Sequence, residues 1–234
     1  MPLPRARCRQ RLFVATLATL AARARCLRVT FIRHGETVWN AQGKLQGALD
    51  SPLTEAGVRQ AELCGRRLAD TRFVAAYTSP LPRARRTAEL VLDQLEAPPP
   101  LAEEPLLRER CFGDWEGMQW EVIESRYPEQ LKLSRGADYR LPGGGESRTE
   151  TLGRSVAFLD RLVASHEEEE DPHVLCVAHS GTLTTIIKEV LGLPQGAPRS
   201  FMVRNLAINE LRHTPDRGWM LLCLGDVAHL EGGA

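Results

Sequence analysis

The sequence predicts an α/β fold in which a mostly parallel sheet is covered by helices. From residue 28 onward, strand-like and helix-like segments alternate, which is the pattern of βαβ units. The segment "HVLCVAH" (173–179) is a continuous apolar run, typical of a parallel strand that is buried on both faces. The length of 234 residues, without repeats or an interior linker, fits one large domain.

The first half supplies two strands and two helices. "RVTFIR" is the first strand, and Thr54 is placed to cap a helix that ends near Ala69. "FVAAYTS" is the second strand. It runs into Ser79 and Pro80, so we expect a helix that has Ser79 as its cap and ends near Leu95.

The second half follows an irregular middle segment, 110–147, that ends in the loop-forming "PGGGES". An amphipathic helix is predicted from about 148 to 166, followed by the "HVLCVAH" strand. A further helix starts at Ser180 and ends near Leu191. "NLAINELRHT" and "GWMLLCLGD" are predicted to be two late strands.

Charge and cysteine content limit the possible partners. Lys plus Arg total 30 and Asp plus Glu total 30, so the chain has no overall field to attract nucleic acid or an anionic membrane. Any anion site must therefore be local. The six cysteines form no C-x-x-C pair and no disulfide-like spacing, which favours a reducing compartment, the cytoplasm.

The N-terminal segment, 1–27, is treated as an extension that precedes a catalytic domain at 28–234. Residues 1–28 contain seven arginines and no acidic residue, and the apolar stretch "LFVATLATLAA" is too short to span a bilayer. Three interpretations stay open: an organellar (mitochondrial or plastid) presequence, a secretory signal, or an extension without a targeting role.

Two strands end in the same way. "FIRHGE" and "CVAHSG" each place a histidine and a glycine directly after an apolar strand, at His34 and His179. In open α/β sheets, ligands bind in the crevice outside the carboxyl ends of the strands. The two histidines are therefore expected to face one crevice, although 145 residues separate them in the chain.

Further residues complete a cationic pocket. Arg33 precedes the first histidine, Asn40 follows it, and Arg83 lies near a helix N-terminus, where a guanidinium suits a phosphate. Glu109 follows an apolar run and supplies the carboxylate; Arg108 beside it leaves an ordinary ion pair as the alternative. No cluster has obvious metal-ligand spacing, so we expect no metal and no cofactor.

Such a pocket suits phosphoryl transfer, in which catalysis consists mostly of positioning and charge neutralisation. A neutral imidazole can act as the nucleophile and divide the reaction into two steps. Glu109 could protonate the leaving alcohol and then take a proton from the attacking water.

The chain resembles the histidine phosphatase superfamily, in its phosphoglycerate-mutase-like branch, over residues 28 to about 230. Seven blocks carry the resemblance in the family's order: "RHGETVWN", "LQGALDSPLTEAG", "SPLPRARRTAE", "LRERCFGDWEG", "PGGGES", "VAHSG" and "NLAINEL". The resemblance implies a three-layer α/β/α sandwich. It also implies that the glycine after the first histidine lets the backbone approach the phosphate.

The resemblance also assigns roles. His34 would be phosphorylated, and Glu109 would donate and accept protons. The phosphoryl oxygens would be bound by four side chains: Arg33, Arg83, His179 and Asn40. The pocket edge would hold Gln46, Ser180 and, from "GDVAHL", Asp226 or His229.

A phosphatase is favoured over a mutase. Only 70 residues separate Glu109 from His179, and that segment lacks the adjacent arginine pair with which mutases of this family hold the substrate carboxylate. The expected substrate is a small phosphate ester, whose identity the sequence leaves open, as it does a homodimer. A cofactor-dependent phosphoglycerate mutase and a non-catalytic phosphate-binding module are the alternatives.

Overall fold

The computed structural model describes residues 26–198 and 200–231. The interpretations of the N-terminal segment therefore concern residues outside the described part, apart from its last two positions. None of the helices in the described part combines the length and apolarity needed to cross a bilayer.

The described residues form one six-stranded sheet and eight α-helices. The strands are β1 (Leu27–Arg33), β2 (Ala75–Thr78), β3 (Leu101–Glu103), β4 (His173–Ala178), β5 (Ile208–Thr214) and β6 (Gly218–Asp226). The helices are α1 (Val38–Ala41), α2 (Glu55–Arg67), α3 (Pro82–Leu92), α4 (Trp120–Arg126), α5 (Pro128–Leu133), α6 (Arg148–Ser165), α7 (Ser180–Val190) and α8 (Ala228–Glu231).

The strand order is β3-β2-β4-β1-β5-β6. The first four of these strands are parallel to one another, whereas β5 runs antiparallel to both of its neighbours. The prediction of a mostly parallel sheet is confirmed. Because β2, β4 and β1 are adjacent and parallel, their carboxyl ends, and the residues that follow them, meet at one edge.

Helices cover both faces of the sheet. On one face, Phe31 and Cys176 pack with Leu183 of α7 and Phe158 of α6. On the other face, Ile32 of the same strand packs into a cluster that includes residues of α2 and α3. Consecutive strand residues point to opposite faces, so an apolar run such as β1 fills both cores. The three-layer arrangement is confirmed.

Several element predictions are confirmed and one is wrong. Thr54 caps α2, since its side chain accepts a hydrogen bond from Gly57 N at 2.9 Å. The helix after β2, however, begins at Pro82 and has Leu81, not Ser79, at its N-cap. The Ser79 side chain is used elsewhere, because its Oγ lies 2.7 Å from Nε2 of His179.

The middle segment forms an apolar cluster separate from those that cover the sheet. Trp115, Ile123 and Leu141 are its buried members, and Tyr127 and Tyr139 pack against them. The sequence did not predict the short helices α4 and α5, nor the three-residue strand β3. These elements are too short to show a clear hydrophobic period.

Candidate active site

His34 lies immediately after β1 and is 3% exposed. Its Nδ1 lies 2.8 Å from the carbonyl oxygen of Gly35. A carbonyl can only accept a hydrogen bond, so Nδ1 carries the proton and Nε2 presents a lone pair in the neutral ring. Burial lowers the pKa of His34 well below its ordinary value, and the Arg33 and Arg83 cations lower it further. The ring is therefore neutral and nucleophilic near pH 7.

Gly35 is required by helix packing. A Cβ atom there would lie 2.9 Å from the backbone oxygen of Gly57, in the first turn of α2. The Gly35 N–H donates to Oγ1 of Thr87 in α3 at 2.9 Å. The close approach that the structure shows at this glycine is thus to α2, and the nucleophile is held in place from both helices on that face.

His179 occupies the equivalent position after β4 and is fully buried. Its ring centroid lies 5.2 Å from that of His34, so the predicted meeting of the two histidines is confirmed. Nε2 pairs with the Ser79 hydroxyl at the end of β2, while Nδ1 is buried without a partner among the described residues. Burial, followed by Arg83 and His34, lowers the pKa of His179 well below its ordinary value.

Arg83 is the second residue of α3 and is 2% exposed. Its guanidinium donates to the carbonyls of Leu49 at 2.7 Å and Gly47 at 2.8 Å, and to the Asp50 carboxylate at 2.9 Å. The Nε atom finds no acceptor among the described residues. The loop around 47–50 thus fixes the guanidinium through three hydrogen bonds and leaves its Nε–H for another acceptor.

Arg33 and Asn40 are joined to the same edge through the loop that precedes β5. Arg33 donates to the carbonyl of Val203 at 2.9 Å. Asn205 donates to the carbonyl of His34 at 2.7 Å and to Oδ1 of Asn40 at 3.3 Å. Asn40 also completes a capping box with Thr37 at the start of α1. The loop therefore links both predicted phosphate-binding residues to the nucleophile's backbone.

Glu109 is held by the first turn of α7, directly after His179. One oxygen accepts from Gly181 N at 3.0 Å, and the other accepts from Thr182 N at 3.1 Å and Arg110 N at 2.8 Å. A side chain at position 181 would collide with Glu109. The carboxyl group is thus oriented by backbone donors on the element that carries the second histidine.

The ion pair considered between Arg108 and Glu109 is wrong. Arg108 instead pairs with Glu146 at 2.7 Å. Glu146 also pairs with the buried Arg154 at 3.2 Å and accepts from Cys111 N at 3.0 Å. This network ties "PGGGES" to the start of the middle segment and leaves Glu109 available for chemistry.

Of the predicted pocket-edge residues, Gln46 and Ser180 lie next to other site residues, whereas His229 lies in a helix that packs against α2. Gln46 is buried beside Gly47, in the loop that holds Arg83, and Ser180 is the first residue of α7, next to His179. His229 lies in α8, which packs against α2. Burial lowers the pKa of His229, although the nearby Asp226 carboxylate opposes this. The groups that act on its pKa are Asp226, Leu206 and Arg67, rather than either site histidine.

Four residues that bond to predicted site residues are not identified from the sequence: Ser79, Asp50, Asn205 and Arg110. "NLAINEL" was noticed as a block, but the role of its first residue depends on contacts 165 and 171 residues away. Asp50 lies in the "LQGALDSPLTEAG" block and Ser79 is predicted to cap a helix, so the sequence identifies neither as a partner of a site residue. Ser79, Asp50 and Asn205 each make a long-range hydrogen bond to a predicted site residue, whereas Arg110 donates its backbone N–H to the adjacent Glu109.

The assembled site offers a buried neutral imidazole, a second imidazole, two guanidiniums and one carboxyl group. The guanidiniums supply positive charge for phosphoryl oxygens, the imidazole supplies a nucleophile, and the carboxyl group can move a proton. Within residues 26–198 and 200–231, no group of three or more His, Cys, Asp or Glu side chains is arranged to hold a metal ion.

Comparison with known proteins agrees with this chemistry. A family model described as "Histidine phosphatase superfamily (branch 1)" matches residues 29–226. A metal-independent phosphoserine phosphatase of Arabidopsis thaliana is 35% identical over 206 residues, which cover 87% of this chain and 83% of that protein. A protein of Erwinia tasmaniensis named "Probable phosphoglycerate mutase GpmB" is 34% identical over 213 residues, covering 89% and 97%.

Two solved structures of phosphatases are similar to this chain over most of its length. The mycobacterial glucosyl-3-phosphoglycerate phosphatase in complex with VO3 matches with a TM-score of 0.74 at 30% identity, covering 85% of this chain and 98% of that one. The alpha-ribazole phosphatase of Shigella flexneri matches with a TM-score of 0.73 at 29% identity, covering 85% and 96%.

Proposed function

The chain belongs to the histidine phosphatase superfamily, branch 1, and we propose that it is a metal-independent phosphomonoesterase in which His34 forms a phosphohistidine. The observation that carries the proposal is the hydrogen bond from Nδ1 of His34 to the Gly35 carbonyl, which leaves the Nε2 lone pair as the nucleophile. The buried site keeps this ring neutral.

In the first step, Nε2 of His34 attacks phosphorus and the bond from phosphorus to the ester oxygen breaks. Glu109, in its acid form, gives its proton to that oxygen, so the alcohol leaves neutral. The phosphoryl oxygens accept hydrogen bonds from Arg33, Arg83 and Asn40. His179 donates through Nδ1 when the Ser79 hydroxyl donates to its Nε2; this tautomer supplies a partner for the buried Nδ1.

In the second step, a water molecule attacks the phosphohistidine. Glu109, now a carboxylate, takes the water proton, the bond between phosphorus and Nε2 breaks, and inorganic phosphate leaves. Nδ1 of His34 keeps its proton and donates it in a hydrogen bond to the Gly35 carbonyl throughout, and this bond stabilises the positive charge that the ring carries in the intermediate. The enzyme returns to its starting state.

The substrate proposed is a small phosphate ester. The phosphoserine phosphatase relative and the phosphatases among the structural neighbours support hydrolysis. Relatives named as phosphoglycerate mutases favour a second candidate, a mutase in which the phosphoryl group returns to a phosphoglycerate instead of reaching water. The chain lacks an adjacent arginine pair between Glu109 and His179, which supports the phosphatase.

The compartment proposed is the cytoplasm. The five described cysteines, at positions 26, 64, 111, 176 and 223, are all without disulfides. Free thiols of this kind persist in a reducing environment.

A trapping experiment tests the mechanism. We expect ³²P-labelled phenyl phosphate, mixed with enzyme in excess EDTA and quenched in alkali, to leave label on the protein that acid removes. His34→Asn should retain no label, and Arg59→Gln, on the exposed face of α2, should behave like the wild type. Turnover that stops in EDTA, or label that persists in His34→Asn, would contradict the proposal.

A further inference from the structure

The 47–50 loop, which orients Arg83, consists of turns and irregular chain rather than helix or strand. The guanidinium of Arg83 donates to the carbonyls of Gly47 and Leu49 and to the Asp50 carboxylate. A loop of this kind has few interactions of its own to fix its shape. The position of the guanidinium therefore depends on whatever holds the loop from its other side.

Glu116, in the middle segment, holds the 47–50 loop from that other side. Its Oε1 accepts hydrogen bonds from Ala48 N at 2.9 Å and from Phe112 N at 2.8 Å. Its Oε2 accepts from Leu49 N at 3.3 Å, an N–H that is shared with the carbonyl of Gln46 at 3.1 Å. One carboxylate thus joins the loop to the segment that follows the proposed proton donor.

Backbone pairing between the two segments stops just before the 47–50 loop. Leu45 N donates to the carbonyl of Met118 at 2.9 Å, and Gly117 N donates to the carbonyl of Leu45 at 2.7 Å. Beyond this pair, the Glu116 side chain continues the connection. A side chain at position 47 would collide with the Glu116 carboxylate, so the glycine there permits the close approach.

A single peptide group connects Glu116 to Arg83. The peptide between Gly47 and Ala48 gives its N–H to Oε1 of Glu116 at 2.9 Å and its carbonyl oxygen to Arg83 at 2.8 Å. A planar trans peptide directs these two groups in opposite directions, so it links an anion on one side to a cation on the other. Hydrogen bonds in such a chain polarise and strengthen one another.

We propose that Glu116 is a positioning residue for phosphate binding, which acts through the Gly47–Ala48 peptide and the guanidinium of Arg83. The carboxylate fixes the loop, and the loop fixes the guanidinium in the orientation that binds phosphoryl oxygens. This inference rests on the proposed function, because it takes Arg83 as a ligand of the phosphoryl group.

Calorimetric titration with inorganic phosphate at 20 °C tests the inference without requiring turnover. Glu116→Ala removes the acceptor of all three N–H groups, and we expect the Kd for phosphate to rise about tenfold. Glu116→Gln keeps one acceptor oxygen, so the Kd should rise only about threefold. Glu121→Gln, which changes an exposed carboxylate in α4, is the matched control and should leave the Kd unchanged.

A double variant tests whether Glu116 acts through Arg83. If it does, Glu116→Ala combined with Arg83→Lys should have a kcat/KM for phenyl phosphate within about twofold of that of Arg83→Lys alone. A purely structural role would lower the melting temperature and leave the Kd of the folded protein unchanged. Losses that multiply in the double variant would show that Glu116 acts elsewhere, and would overturn the inference.

The outcomes separate the two proposals. If wild type hydrolyses phenyl phosphate and both Glu116 variants bind inorganic phosphate as tightly as wild type, the positioning role is overturned and the phosphatase stands. If wild type releases phosphate from no ester, the proposed function fails, and the calorimetric Kd values still decide the role of Glu116. If Glu116→Ala does not fold, an unchanged Kd in Glu116→Gln is sufficient to overturn the inference.

Discussion

Two regions of the molecule are built by different means: the residues at the strand ends, here called the phosphate edge, and the cavity lined by Arg110, Phe112 and Lys188, here called the recess. The phosphate edge consists of residues that directly follow parallel strands, such as His34 and His179, whose backbones are held by sheet hydrogen bonds. The recess is lined by residues from a middle segment and from two helices, such as Arg110 and Lys188. Glu109 joins the two regions, because backbone donors of α7 hold it at their boundary.

We interpret the phosphate edge as the region that carries the chemical step and the recess as the region that selects between esters. Strand ends in a parallel sheet have little freedom, so the nucleophile and its charged neighbours keep one geometry. The recess depends on irregular chain, which can change without disturbing the sheet. We therefore expect changes at the phosphate edge to affect every ester alike and changes in the recess to affect esters according to their alcohol.

The largest effect is expected for His34→Ala. Removal of the nucleophile should lower kcat by about 10³-fold or more for every ester, since no other described side chain in the site offers an equivalent lone pair. Phosphate release from phenyl phosphate and 3-phosphoglycerate measures this. A loss confined to one of the two esters would break the distinction between the edge and the recess.

Glu109→Gln should show the next largest effect, and its size should depend on the leaving group. An alkyl ester needs its oxygen protonated, so kcat for glycerol 3-phosphate should fall about 10²-fold or more. For 4-nitrophenyl phosphate, whose phenolate leaves without a proton, formation of the phosphoenzyme should fall far less. Rapid-quench measurement of the first step distinguishes the two, and an equal fall for both esters would argue against Glu109 as the acid.

Arg83→Lys should reduce kcat/KM for all esters by about tenfold to a hundredfold, with no dependence on the alcohol. Lysine keeps the charge but lacks the planar fork with which Arg83 donates from two nitrogens to Leu49, Gly47 and Asp50, so the loop at 47–50 is held less well. The melting temperature should fall as well, which differential scanning calorimetry would detect. A variant with wild-type activity would show that this guanidinium does not face the phosphate.

The smallest effect concerns pH. The lowered pKa values of His34 and His179 mean that unfolding brings proton uptake below pH 6.5, because the unfolded rings regain their ordinary pKa. Their contribution to stability is complete above that pH and is lost as pH falls toward the folded-state pKa. The free energy of unfolding should decline by on the order of 1 kcal/mol per pH unit for each ring.

Urea unfolding at pH 7.0, 6.0 and 5.0 tests this dependence. His34→Asn removes one of the rings and should make the decline shallower than in the wild type. His173, whose pKa burial lowers to about 4, contributes in the same direction and is common to both proteins. An unchanged slope in the variant would mean that folding does not lower the pKa of His34.

Patterns confined to a few residues determined much of this protein. An apolar run followed by histidine and glycine predicted where β1 and β4 end, and a threonine before an amphipathic segment predicted the cap of α2. The alternation of such segments predicted the parallel sheet, and hence that His34 and His179 meet. These inferences succeed because strand burial and helix capping are decided by near neighbours in the chain.

Only the tertiary structure decided which side chains pair with one another. Ser79 could equally have capped a helix or bound an imidazole, and only the adjacency of β2 and β4 makes it the partner of His179. Arg108 pairs with Glu146 rather than with its neighbour Glu109, and Asn205 reaches His34 across the sheet edge. The recess likewise exists only because Arg110, Arg148 and Lys188 converge from distant parts of the chain. A side-chain hydrogen bond depends on position to within a fraction of an ångström, and that position is set by the packing of the whole domain.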